Sequence, residues 1–290
     1  VVNHWQEISV SHGAVHLGLR VLGDSAAPPL IALHGWRDNS ASFELLAPLL
    51  PDARIIAVDL PGHGLSSRRH SEGHYYIWTY ITDVLAVVDG LNLPFFNLLG
   101  HSMGGAIASL FAALYPERVK NLILLDAVGP LTTQAEDAPA QMLKSIRQQQ
   151  NLKPDGHRHY PDFMAAVKAR ADKGLSLQAA TILGKRGILQ DEKGYYWNLD
   201  PRLSRANLLS LTEEQVAAFI TKITCATLLI TANDYWLEKQ EWLASRRSWF
   251  QNLETHALNG NHHQHLDGQV EAVADLIRGF LALQALQTQR

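Results

Sequence analysis

The chain has 290 residues, 47% apolar and 18% charged, with a formal net charge of −3 when the histidines are neutral. That length buries a sizeable core, and the lack of a basic excess excludes the electrostatic footprint of a nucleic-acid or anionic-membrane binder. No apolar run reaches the roughly 18 residues of a membrane-spanning helix.

The opening VVNHWQEISV lacks the basic-then-apolar pattern of a secretory signal. Residues 7–10 and 15–21 read as two strands around a turn at His12 and Gly13. Four short, continuously apolar runs follow at 30–33, 55–58, 97–99 and 122–125, with a fifth at 227–230. Unbroken apolarity of this kind belongs to strands buried on both faces of a parallel sheet. Helical patterns separate the runs. Ile77, Ile81, Val84, Leu85, Val88 and Leu91 repeat at helical spacing before Asn92 and Pro94 end the segment. A second helix covers 103–115 and stops at Pro116. A last one carries Val270, Val273, Ala274, Ile277 and Leu281, with Asp267 placed to cap it. Strands alternating with helices predict a doubly wound, mostly parallel α/β sheet.

One stretch breaks the alternation. Residues 129–223 hold no strong strand run but show helical pieces at 138–149, 161–173, 177–183 and 212–222. It is too long for a structureless loop, so a helical insertion is expected, dividing the chain into 1–128, 129–223 and 224–290. The single cysteine, Cys225, allows no intrachain disulfide and fits a reducing, cytoplasmic setting. It opens the apolar run CATLLIT, where a small buried side chain is its expected role.

Gly100-His101-Ser102-Met103-Gly104 is the most informative segment. It has G-x-S-x-G spacing at the point where an apolar strand ends and a helix begins, the context such a motif requires. A strand turning that sharply into a helix holds its middle residue in a strained conformation with the side chain exposed. The flanking glycines remove side chains that would collide. The helix behind Ser102 offers its positive end where an oxyanion would form. Ser102 is therefore the candidate nucleophile.

On these residues the chain resembles the α/β-hydrolase superfamily over nearly its whole length. It is most similar to the serine hydrolase-like group, through the tail Gly260-Asn261-His262-His263-Gln264-His265-Leu266 and the segment Gly194-Tyr195-Tyr196-Trp197-Asn198-Leu199-Asp200-Pro201-Arg202-Leu203. The resemblance implies an α/β-hydrolase fold, with an eight-stranded sheet and a helical cap inserted after strand 6. It also implies an oxyanion hole. Leu33-His34-Gly35-Trp36 ends an early strand, so the backbone amides of Trp36 and Met103 would be the donors. Trp36 and His101, beside the nucleophile, would touch the substrate.

Family members run Ser, then acid, then His along the chain. The His265-Leu266-Asp267 step selects His262 as the base, and Asn261 in place of the usual Gly keeps His263 in play. The acid expected is Asp234, which follows the strand run at 227–230. Asp126, after the run at 122–125, is the alternative. Asp59-Leu60-Pro61-Gly62-His63-Gly64-Leu65-Ser66 is a further landmark, read as a structural loop with Asp59 bonding its amides.

The implied function is hydrolysis of a carboxylic ester, or a thioester, through an acyl-enzyme on Ser102. The substrate would be a small molecule, with no metal, organic cofactor, nucleic acid or membrane partner. Phe163, Tyr195, Tyr196 and Trp197 of the cap would line an acyl pocket or pack within the cap. Two alternatives stay open: carbon–carbon bond hydrolysis of a diketone-like substrate, and a ligand-sensing receptor on the same fold.

Overall fold

The computed structural model describes residues 4–70, 73–151, 156–233 and 235–288. Its first strands, β1 (Gln6–His12) and β2 (Val15–Leu22), form an antiparallel hairpin. Next come β3 (Pro29–Leu33), β4 (Arg54–Val58), α1 (Thr79–Gly90), β5 (Phe96–His101), α2 (Met103–Leu114) and β6 (Val119–Leu125). The inserted stretch holds α3 (Ala138–Gln150), α4 (Phe163–Ala171), α5 (Leu177–Gly187), a hairpin of β7 (Ile188–Asp191) with β8 (Gly194–Trp197), and α6 (Glu213–Ile220). The chain then returns through β9 (Ala226–Ala232), α7 (Trp242–Ser248), β10 (Leu253–Leu258) and α8 (Val270–Thr288).

Eight strands make one sheet in the order β1-β2-β4-β3-β5-β6-β9-β10. β2 runs antiparallel to β1 and β4, and the other pairings are parallel. Period-two alternation divides each central strand between two cores. Ile31 and Leu33, Leu122 and Leu124, and Leu229 face the layer of α1 and α2. Leu30 and Ala32, Ile123 and Leu125, and Leu228 and Ile230 face the layer of α8. Both faces are covered, which is why these strands read as unbroken apolar runs.

The structure adds to the sequence-based expectation, with α7 a short helix that no sequence pattern marks. β10 completes the expected eight strands at a place no apolar run marks, because an edge strand with Glu254, Thr255 and His256 carries only half of an apolar pattern. The insertion contains the β7–β8 hairpin as well as helices. Asp267 does not act as the cap of α8. Its Oδ2 accepts from the Ser176 N–H, 2.7 Å away at the start of α5, and so ties the tail to the insertion.

The insertion has a small core of its own, in which Val167, Leu175, Ala179, Ala180 and Leu183 pack with Leu266. Its last helix, α6, places Val216 and Ile220 in the main core beside α2 instead. Among the described residues no helix is long and apolar enough to cross a membrane.

Candidate active site

The C-terminal ends of β3, β5, β6 and β9 lie side by side, and each delivers one part of the site. At the end of β5 the backbone turns directly into α2 through Ser102, which has φ 52° and ψ −116°. A non-glycine residue in that region is strained, and such strain persists only where the surroundings enforce it. Here they do. The Ser102 N–H donates to the Leu125 carbonyl at 3.0 Å, and the Ser102 carbonyl accepts from Ala106 N–H at 3.1 Å. A Cβ on Gly104 would overlap the carbonyl of Leu33, and one on Gly105 would come within 2.6 Å of the Ala127 Cβ. The glycines thus let α2 seat its N-terminus against the end of β3, which brings the segment of Trp36 next to that of Met103.

Two buried histidines hold the Trp36 segment in place. Leu60 N–H donates to His34 Nε2 at 3.0 Å, and His34 Nδ1–H donates to the Gly35 carbonyl at 2.7 Å. Arg37 N–H donates to His63 Nε2 at 3.1 Å, while His63 Nδ1–H donates to the Pro61 carbonyl at 3.1 Å. Each ring needs one bare nitrogen for this role. Burial keeps both neutral: it lowers the pKa of His34, and with the neighbouring His34 it pulls that of His63 down to about 3. Asp59 works as expected for its loop, accepting from Ser40 N–H at 2.7 Å and Leu65 N–H at 2.8 Å.

The tail between β10 and α8 brings His262 to the site. Its Nδ1–H donates to Asp126 Oδ2 at 2.5 Å, leaving Nε2 with the lone pair a base needs. Asp126 is rigidly seated. It sits at φ 48° just past β6, its N–H donates to the Ile230 carbonyl at 2.8 Å, and its Oδ1 accepts from Ala232 N–H at 3.2 Å. The Tyr235 ring stacks on His262 with centroids 4.5 Å apart. The carboxylate meeting the imidazole is therefore Asp126, the alternative in the sequence reading. Asp234, the first choice, lies outside the described residues. β6 and β9 are adjacent and parallel, so a carboxylate after either strand can reach the same ring.

His263 is engaged elsewhere. Its Nε2 meets Asp38 Oδ2 at 3.0 Å, and Arg170 of α4 donates to Asp38 Oδ1 at 2.7 Å. His101 corrects an expectation: it does not face the substrate. It is fully buried among the rings of His262, His263 and His265, and its Nε2–H donates to the His262 carbonyl at 2.9 Å. Burial and those imidazoles hold its pKa well below the ordinary histidine value. Its ring is directed away from the cavity and supports the backbone of the base loop.

Asp38, His101 and His263 also form the one metal-ligand-like cluster among the described residues, with ligand atoms within 4.8 Å of one another. The Arg170 guanidinium already supplies positive charge to that carboxylate. Cys225 is no rival nucleophile, since burial pushes its thiol up to about 11.

Ser102, Met103, Trp36, Asp126 and His262 all border one cavity of about 1050 Å³. Among the described residues no hydrogen bond joins the Ser102 hydroxyl to His262. Contacts of this kind often tighten only around a substrate. The Trp36 indole N–H donates to the Leu203 carbonyl at 3.1 Å, fixing a half-exposed ring at the rim. Phe163 and Trp197 pack on the core of the insertion, and Tyr195 pairs with Tyr160. The aromatic lining comes instead from Tyr75, Tyr76 and Trp78 before α1 and from Trp236 and Trp242 near α7. Nothing in local spacing marks Asp38 or Tyr235, and His34, legible as part of the Leu33-His34-Gly35-Trp36 segment, shows no role for its ring in the sequence. Only neighbours distant in the chain give them a role.

A strained serine between strand and helix, facing a cavity shared with an Asp-paired histidine, defines the chain as an α/β hydrolase. A family model described as alpha/beta hydrolase fold matches residues 28–269, and the chain belongs to that family, in its serine hydrolase-like group. It is 35% identical over 278 residues to a serine hydrolase-like protein of Danio rerio, covering 92% of this chain and 85% of that one. It is 30% identical over 288 residues to serine hydrolase-like protein 2 of Homo sapiens, covering 92% and 90%. Among solved structures, a hypothetical protein of Pseudomonas aeruginosa PAO1 superposes with a TM-score of 0.91 at 35% identity, covering 95% of this chain and 99% of that one. The thioesterase domain from the curacin biosynthetic pathway superposes with a TM-score of 0.83 at 25% identity, covering 95% and 99%.

Proposed function

We propose that the protein hydrolyses a carboxylic ester or thioester of a small acyl substrate through an acyl-enzyme on Ser102. His262 Nε2 takes the proton from the Ser102 hydroxyl as the oxygen adds to the acyl carbonyl. Asp126 holds the reactive tautomer and stabilises the imidazolium that forms. The Trp36 and Met103 amides receive the developing oxyanion, and one such donor contributes about 10²–10³ in rate. His262 then passes its proton to the leaving alcohol or thiol. In the second half the same nitrogen activates water, which attacks the acyl carbon and frees Ser102. The insertion covers the site as a cap, and with its single cysteine the chain suits a reducing, cytoplasmic compartment.

The observation that carries this reading is the 2.5 Å pairing of His262 with buried Asp126 in the cavity that Ser102 borders. A receptor that only senses a ligand has no need of a base in that tautomer. Burst kinetics with 4-nitrophenyl esters and acyl thioesters of graded length test it. A burst equal to the protein concentration, abolished by Ser102→Ala, is expected. Turnover unaffected by that change overturns the reading.

A further inference from the structure

Positive charge gathers at one mouth of the cavity, with no carboxylate among the described residues paired to it. Lys144 and Arg147 of α3 and Arg205, just before Ala206, border a groove between α3 and the segment at 204–207. Lys144, Gln148, Ser204 and Arg205 also border the catalytic cavity, so groove and cavity adjoin. Other arginines buried in whole or in part have a carboxylate: Arg170 has Asp38, Arg202 has Asp200 and Arg246 has Glu213. Among the described residues, none of the three groove cations is within ion-pair distance of one.

Arg205 is the informative member. Its Nε is shielded from solvent and has no hydrogen-bond partner, as in Arg20, Arg69, Arg170 and Arg247, but each of those holds a carboxylate through another guanidinium nitrogen and Arg205, among the described residues, holds none. Burial and the adjacent Arg202 push its pKa down, outweighing the opposing pull of Asp200. Negative charge brought to this point relieves both the unpaired donor and the repulsion. Its position is fixed as well. The Ser145 hydroxyl donates to the Ala206 carbonyl at 2.7 Å, Ala206 N–H donates to Gln148 Oε1 at 2.7 Å, and Gln141 Nε2 donates to the Asn207 carbonyl at 3.0 Å. The backbone beside Arg205 is thus stitched to α3.

Helix-end electrostatics accounts for Arg147 in the last turn of α3. It does not account for Lys144, further inside, or for Arg205, which caps only the single 3-10 turn Pro201–Ser204, too short to build an appreciable dipole. The acids bordering the cavity do not neutralise the groove. Asp126 is held by His262, and Asp137 precedes Lys144 by about 10 Å along the helix axis.

We infer that this groove is an anion-binding subsite, and that the substrate is an ester or thioester carrying a carboxylate or phosphate on the part that leaves the catalytic cavity. The inference rests on the hydrolase reading for its substrate and on the groove alone for its anion. Two matched pairs separate the sources of the anion. The mono-4-nitrophenyl ester of adipate against 4-nitrophenyl hexanoate tests a carboxylate. Acetyl-coenzyme A against S-acetyl-N-acetylcysteamine tests a phosphate-bearing leaving group.

In at least one pair the anionic member should have the higher kcat/KM. That preference should fall roughly tenfold or more in Arg205→Gln with Lys144→Gln, through KM, and return in part with Arg205→Lys. It should also shrink in the unaltered protein at about 0.5 M NaCl, which screens a groove open to solvent. Ratios unchanged by the substitutions and by salt overturn the subsite. Calorimetric titration of the Ser102→Ala protein with adipate and with coenzyme A reads the groove without turnover. Binding weakened at least tenfold by Arg205→Gln supports the subsite even where no ester is cleaved, an outcome that would sink only the hydrolase reading. Failure of both ligands to bind overturns the subsite even where neutral esters are cleaved.

Discussion

The sheet ends and the inserted helices are built under different constraints. At the sheet ends, Ser102 and Asp126 both sit at positive φ, and both are held by hydrogen bonds to neighbouring strands inside doubly covered layers. In the insertion, α3 buries only Ser145 and leaves Met142, Leu143 and Ile146 exposed. Hydrogen bonds to neighbouring strands fix the backbone that carries the reacting groups. Packing in the insertion leaves side chains free to vary, which is where choice among substrates is best placed. Arg170 and Asp267 join the two regions, since each bonds across to the opposite one.

The largest effect that would sharpen this contrast is at the nucleophile. Ser102→Ala should lower kcat for 4-nitrophenyl esters by at least about 10⁴-fold with the melting temperature preserved. Asp126→Asn should follow, with a loss of about 10³–10⁴-fold, because the amide favours the wrong imidazole tautomer. Asp234→Asn should cost far less in the same steady-state assay, and the reverse ranking would return the acid to the end of β9.

Stability should divide the regions too. Gly104→Ala drives a methyl into the Leu33 carbonyl and should cost about 3 kcal/mol in urea unfolding. Gly174→Ala, between α4 and α5, has open space around it and only a φ of +102° to oppose it. About 1 kcal/mol is expected there. Equal costs would mean that the sheet end is not the tighter region.

The gentlest probe is pH. Burial pulls His63 and His265 down to about 3 and lowers His34 and His101. The unfolded chain binds these protons first, near the ordinary value of 6.5. Stability is therefore complete above that value and declines as pH falls from 6.5 towards 3, by up to about 1.4 kcal/mol per pH unit for each histidine. Asp38, held well below its usual range against the cost of burial by His263 and then Arg170, adds to the loss only at the acid end. Thermal melts from pH 7 to pH 4 should show the decline, and a flat profile would contradict the neutral, buried state of these rings.

Local sequence determined what depends on short spacing. The glycines at 100 and 104 around Ser102, the apolar runs that became central strands, and the helical pieces of the insertion each follow from contacts within about ten residues. Tertiary structure alone decided which carboxylate meets His262, because β6 and β9 end side by side although about a hundred residues separate them. It also turned His101 inward, seated Asp38 between the tail and the insertion, and drew the cavity's aromatic lining from the segments before α1 and near α7. Periodicity records which face of an element is apolar. It carries no information on which distant side chain will occupy the space opposite.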